Sequence, residues 1–245
     1  MISNDDGIDS AGIRVLEAAL RPLGRVIVVA PAEEQSGTSH SLTLRRQIEV
    51  VDLDDTHHRV NGTPTDCVLL ATEVILDRKP DVLVSGINHG PNMGEDVTYS
   101  GTVAAAFEGT ILGIQSVAIS SLQRTVADAE TNGRFARLVV EKVLEMGLPK
   151  NMLLNVNIPN PEVAGVKGIR ITHLGSRHYE NFIDRDVTAR GKALYTIGGQ
   201  DPVWKGDEGT DIAAVRKGFV SITPLNMDMT DYRLLVEMET WEFNG

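Results

Sequence analysis

The sequence predicts an α/β protein: a mostly parallel sheet with helices on both faces, an antiparallel extension and a C-terminal tail. Two observations carry this. In the first half, short β-branched runs alternate with helical periods, an order that implies right-handed crossovers between parallel strands. After about Pro159 the alternation gives way to strand-like runs without intervening helices. At 245 residues the chain is long enough for one large domain with its own core. It is read as a single domain over 1–245, with a core of about 1–160 and 215–227, an extension of about 161–214 and a tail of about 228–245.

The elements follow in order. Ile2-Ser3 ends a first strand, and Asn4-Asp5-Asp6-Gly7 is its loop. Ile13, Leu16, Leu20 and Leu23 recur at helical spacing. Val26 to Ala30 is a continuous apolar run, the pattern of a strand buried on both faces. Ile48–Val51 and Arg59-Val60 are strand-like, and His57-His58 beside Asp54-Asp55 reads as a solvated loop. Pro64 opens a helix with Cys67, Leu70, Val74 and Ile75 on its apolar stripe. Val82-Leu83-Val84 is a further buried strand, and Gly101 to Ala106 starts a helix. Val117–Ile119 and Leu153–Val156 are strands on either side of an Arg134–Met146 helix. Gly168–Thr172 and Ala193–Ile197 read as strands of the antiparallel excursion, Val220–Pro224 as one more strand, and Tyr232–Phe243 as a helical tail.

Composition narrows the function. A net charge of −11 argues against a basic nucleic-acid groove or an anionic membrane surface, so an anionic substrate needs a local positive element. One cysteine, Cys67, excludes an internal disulfide and cysteine-rich zinc sites. With no signal-peptide pattern at the start and no long apolar run, the chain reads as cytoplasmic.

The unusual polar motifs each follow a predicted strand: Asn4–Gly7, then Ser36-Gly37, then Gly86-Ile87-Asn88. In a doubly wound sheet these loops converge at the carboxyl edge, where ligands bind. Adjacent Asp5 and Asp6 repel, and a bound cation keeps both ionised. With the Ser36 hydroxyl and the Asn88 carbonyl they form a hard, all-oxygen set suited to Mg²⁺, Mn²⁺ or Ca²⁺. The alternative is that Asp5 or Asp6 caps the helix near Ser10. Ser100-Gly101-Thr102 opens a helix whose N-terminus can cradle a phosphate without Lys or Arg; the alternative there is an ordinary N-cap. His40 and His89 fall in these loops as substrate contacts or as bystanders. Cys67 reads as core.

The chain has no G-x-x-x-x-G-K-[ST], no G-x-G-x-x-G after the first strand and no G-x-S-x-G, so P-loop, dinucleotide-binding and serine-hydrolase readings fail. Instead it resembles the SurE family, the survival protein E phosphatases. The resemblance rests on Ser3–Gly7, Ser36-Gly37 with Ser41-Leu42-Thr43, Gly62–Cys67, Ser85–Gly94, Tyr99–Ala106, Gly168–Arg170 and Val220–Leu225. It implies a Rossmann-like core whose extension and tail serve assembly as a homodimer or homotetramer. It also implies a metal-dependent 5′-nucleotidase acting on nucleoside monophosphates, with 3′-nucleotidase or polyphosphatase side activities, and one divalent cation per subunit, Mg²⁺ or Mn²⁺. By motif, Asp5, Asp6, Ser36 and Asn88 would be metal ligands and Asp5 and Asp6 catalytic. Gly37, Asn92, Ser100, Gly101 and Thr102 would line the phosphate pocket. Attack by metal-activated water is favoured over an aspartyl-phosphate. The rivals are a broad phosphatase or exopolyphosphatase, and a nucleotide-sensing module without turnover.

Overall fold

The computed structural model describes residues 1–122, 129–160, 165–178, 183–188, 191–197 and 203–243. Its first strand, β1 (Ile2–Ser3), is two residues long yet central. Ile2 pairs in parallel with Val28 of β2 (Val28–Pro31) on one side and with Val84 of β5 (Val82–His89) on the other. Beyond β2 lie β4 (His57–Val60) and β3 (Val50–Asp52). Beyond β5 lie β6 (Gln115–Ser121), β7 (Met152–Ile158), β13 (Val220–Asn226) and β8 (Ile169–Ile171). Among the described residues this is a nine-stranded sheet ordered β3-β4-β2-β1-β5-β6-β7-β13-β8. The run from β4 to β7 is parallel throughout; β3 is antiparallel to β4, and β13 to β7. Strand order reverses between β1 and β5, the point at whose carboxyl ends doubly wound sheets bind ligands.

Period-two alternation in the strands divides the core. Val28 and Ala30 pack with Ile13, Leu16 and Leu20 of α1 (Ala11–Leu20) and with Val139 and Val143 of α4 (Ala129–Met146). Val29 faces the other way, toward Cys67 and Val68 of α2 (Pro64–Leu70) and Ala105 of α3 (Gly101–Ile111). Each fully buried Val, Leu or Ile contributes about 1.5–3 kcal/mol. The buried Cys67 is core, as expected.

Three expectations are corrected. His57 and His58 lie in β4, beside Val28 and Val29 of β2, and acids from α1, β3 and the preceding turn satisfy them: Glu17 at 3.3 Å and Asp54 at 3.0 Å from His57, and Asp52 at 2.6 Å from His58. Asn88 lies within β5, since the strand resumes pairing with β6 after an irregularity between Ser85 and Asn88. Ile169–Ile171 leaves the excursion and pairs in parallel with β13 at the sheet edge. The antiparallel part consists of β10 (Ile183–Val187) with β11 (Ala193–Ile197), and β9 (Ser176–His178) with β12 (Val203–Lys205).

Asp211, at the start of α5 (Asp211–Arg216), braces this part against the core. Its carboxylate accepts the N–H groups of Gly94 (2.9 Å), Gly175 (2.8 Å) and Ile212 (2.8 Å). A short helix, α6 (Tyr232–Met238), follows β13.

Gly12 lets α1 lie against β5: a Cβ there would fall 2.0 Å from the Ile87 carbonyl oxygen. Since that obstacle is backbone, Gly12→Ala is expected to cost about 1–3 kcal/mol or more. Thermal melting of the variant should show a fall of at least about 2 °C; an unchanged melt would contradict this packing.

Candidate active site

The turn after β1 is built by Asn4 and Gly7. Asn4 Nδ2 donates to the Gly7 carbonyl (3.0 Å) and to Ser10 Oγ (2.8 Å), while Gly7, at φ +93°, takes a conformation that L side chains resist. Ser10 caps α1 by accepting the Ile13 N–H at 3.3 Å. Neither Asp5 nor Asp6 is spent on that cap.

Asp5 is 4% exposed and reaches across to the first turn of α3, where the Thr102 hydroxyl donates to its Oδ1. Gly101 makes this approach possible: a Cβ there would lie 2.8 Å from Asp5 Cβ and 3.0 Å from its Oδ2. Burial pushes the Asp5 carboxyl up to about 6 against the pull of Thr102, and the charge of Asp6 adds to the rise. Asp6 is likewise raised by burial and by Glu34, against the opposing pull of His89. His89 donates its N–H to Asp6 Oδ2 at 3.3 Å and holds its ring Nδ1 3.4 Å away. Among the described residues no lysine or arginine pairs with either aspartate.

The second loop joins through Gln35, whose N–H donates to the Asp5 carbonyl at 2.7 Å. Ser36 follows, exposed, its hydroxyl donating to Glu34 Oε1 at 2.7 Å. Gly37 has φ +74° and open space around it. On β5, Asn88 Nδ2 donates to the Gly90 carbonyl at 2.9 Å, which turns its Oδ1 away from that carbonyl.

The structure thus brings Asp5, Gly101 and Thr102 into one contact set, with Asp6 beside it on His89 and Ser36, Gly37 and Asn88 on the adjoining segments. Ser100 is the N-cap of α3, accepting the Val103 N–H at 3.1 Å. Asn92 sits over the ends of β6 and β7: its Nδ2 donates to Ser120 Oγ (2.8 Å), and its carbonyl accepts from Asn155 (2.8 Å) and Asn157 (2.9 Å). His89 lies on Asp6 rather than idle. Sequence reasoning missed Glu34, Ser120, Asn155 and Asn157. The Asn-x-Asn alternation in β7 was the one available signal, since period two puts both amides on one face.

The donor chemistry fits a hard divalent cation. Two partly or wholly buried carboxylates carry unbalanced charge, and hydroxyl and amide oxygens stand on the adjoining segments. Among the described residues no three His, Cys, Asp or Glu side chains are grouped to hold a metal ion, so a cation here needs the hydroxyl and amide oxygens besides the two carboxylates.

Comparison with known proteins identifies the family. Residues 1–181 match the family described as Survival protein SurE. The chain belongs to the SurE family. The 5′-nucleotidase SurE of Laribacter hongkongensis is 44% identical over 241 residues, covering 98% of both chains. That of Aquifex aeolicus is 44% identical over 244 residues, covering 99% of this chain and 97% of the relative. The crystal structure of the SurE protein from Aquifex aeolicus superposes with a TM-score of 0.86 at 43% identity, covering 97% of each chain. The SurE fold is therefore shared nearly end to end.

The raised carboxyl of Asp5 has a consequence for stability. A folded-state value of about 6, above the unfolded one near 3.9, means that the folded protein binds more protons between those values. Stability of the metal-free protein is therefore fullest below pH 4, falls as pH rises through 6, and levels off above it, by at most about 3 kcal/mol. Urea unfolding of chelated protein at pH 5 and pH 7 should show this slope, and Asp5→Asn should flatten it. An identical slope in the variant would contradict the assignment.

Proposed function

We propose that the chain is a divalent-metal-dependent phosphomonoesterase, a 5′-nucleotidase that converts a nucleoside 5′-monophosphate and water to nucleoside and phosphate. The observation that carries this reading is the Asp5 carboxylate, buried at the reversal point of the sheet and seated against the N-terminus of α3. The matching relatives, named 5′-nucleotidase SurE, support the substrate class.

Asp5, Asp6, Ser36 and Asn88 would hold the cation. Bound there, a divalent cation supplies Lewis-acid polarisation of a phosphoryl oxygen and a water of lowered pKa. Asp5, buried and hydrogen-bonded by Thr102, serves as a fixed ligand. Asp6 is the more accessible of the pair, its side chain 12% exposed, and its free carboxylate oxygen is the group placed to accept a proton from the attacking water. His89 keeps Asp6 oriented. Gly37 leaves open space for the phosphate and Gly101 admits Asp5 beside it, while Ser100 and Thr102 shape the helix end that receives its charge. Asn92 and the asparagines of β7 form the floor. Both carboxylates face the same partner, which favours water attack over an aspartyl-phosphate.

Among the described residues no helix is long and apolar enough to cross a membrane. The extension and tail expose Ile183, Val187, Leu194 and Tyr195, and Leu234, Leu235, Val236, Trp241 and Phe243. These side chains support a homodimer or homotetramer, as does the resemblance. Sedimentation at micromolar concentration should give a species heavier than 26.6 kDa; a monomer would contradict it.

Exhaustive chelation should abolish phosphate release from adenosine monophosphate, and Mn²⁺ or Mg²⁺ should restore it. Asp6→Asn removes a ligand charge and the proton acceptor, so kcat at saturating Mn²⁺ should fall about 10²–10⁴-fold, with the metal-free melt unchanged or raised. Near-wild-type turnover in the variant would contradict the role of Asp6.

A further inference from the structure

The backbone between β2 and β3 has no regular structure, and Ser39 and Arg45 adopt φ values of 54° and 61°. Yet the part carrying Ser36 and Gly37 is tied down on both sides. Before it, the Gln35 N–H reaches the Asp5 carbonyl at 2.7 Å. After it, the Ser39 N–H reaches the Tyr99 carbonyl at 3.2 Å, and Ser39 Oγ donates to the Thr98 carbonyl at 2.7 Å. His40 then sets its Nε2 2.9 Å from Oε2 of Glu108 and stacks its ring on Phe107, centroids 6.3 Å apart.

Glu108 is an unusual residue for its place. It stands on α3, among Ala104, Ala105 and Ala106, with its side chain only 9% exposed. A carboxylate that deep is costly without a hydrogen-bonding partner, and His40 is that partner. The backbone bonds of Ser39 reach only the turn before α3, whereas His40 grips the helix itself. The helix is the same one whose first turn holds Asp5.

We propose that His40 is a positioning residue. By pairing with Glu108 it holds the Ser36-Gly37 span against the Asp5–Asp6 pair, so that α3 sets both the buried carboxylate and the loop that completes the cation site. The inference rests on the functional reading above, but its test does not depend on turnover.

The test is calorimetric titration of Mn²⁺ into the wild-type chain, His40→Ala and His40→Gln. Hydrogen exchange at residues 36–39, and kcat and KM for adenosine monophosphate at saturating Mn²⁺, complete it. In His40→Ala, Mn²⁺ affinity should fall about tenfold, the low end for residues that orient metal ligands from outside. Exchange at residues 36–39 should quicken, while kcat at saturating Mn²⁺ is largely kept. Glutamine retains an N–H donor able to reach Glu108, so His40→Gln should recover most of the affinity. Unchanged affinity in His40→Ala would overturn the proposal. So would a joint loss of affinity, kcat and melting temperature that glutamine does not rescue, the pattern of a merely structural residue. A wild-type chain that binds Mn²⁺ but releases no phosphate would sink the 5′-nucleotidase reading alone and leave the role of His40 standing.

Discussion

A carboxylate held out of water against the first turn of a helix is the constraint on which the rest of the site depends. Asp5 needs Thr102 as a donor and Gly101 as a gap, and both requirements fix α3 relative to β1. A buried, charged oxygen of this kind is stable only with compensating donors or a counter-charge. The structure gives Asp5 the first in part and, among the described residues, no lysine or arginine as the second. That imbalance, shared by Asp6, makes a small hard cation the natural complement of the site.

The sequence of α3 reads as an adaptation to that position. Alanines 104 to 106 are buried, and small side chains let the helix lie close to the sheet. Gly109 carries this further, since a Cβ there would fall 2.3 Å from Leu83 Cδ2 and 2.6 Å from Ser116 Oγ. The helix axis is thus pinned at Gly109 over β5 and β6, and its N-terminus is pinned at Gly101 over Asp5. On the far side, Asp211 ties the Gly94 loop that leads into α3 to the extension. Fold stability and site geometry therefore draw on the same contacts.

Much of this was legible in the sequence because the signals are local. A β-branched run followed by a polar turn marks a strand and its carboxyl-end loop, so Asp5, Asp6, Ser36 and Asn88 could be placed at one edge. Sequence order alone brought Asp5 and Thr102 to that edge but could not show that they touch. What escaped depends on partners distant in the chain. His57 and His58 carry no apolar alternation, and Glu17 from α1 and the parallel pairing with β2 are among the contacts that make them strand residues. The edge strand at Ile169–Ile171 reads like the hairpin strands after it; its parallel pairing with β13 is set by tertiary packing. The bonds of Asn92 to β7 and the brace at Asp211 span gaps that no periodicity encodes. The parts of the extension at 161–164, 179–182, 189–190 and 198–202 lie outside the described residues.

The central claim is that a divalent cation sits where β1, the Ser36 loop, β5 and α3 meet. Paramagnetic broadening of backbone amide resonances by substoichiometric Mn²⁺ tests it most directly, because it reports location without reference to catalysis. The account predicts selective loss of signal at residues 4–7, 35–37, 88–89 and 101–102, reversed by chelator. Broadening centred instead on the acidic hairpin around Asp54 and His57, or no selective broadening anywhere, would contradict it.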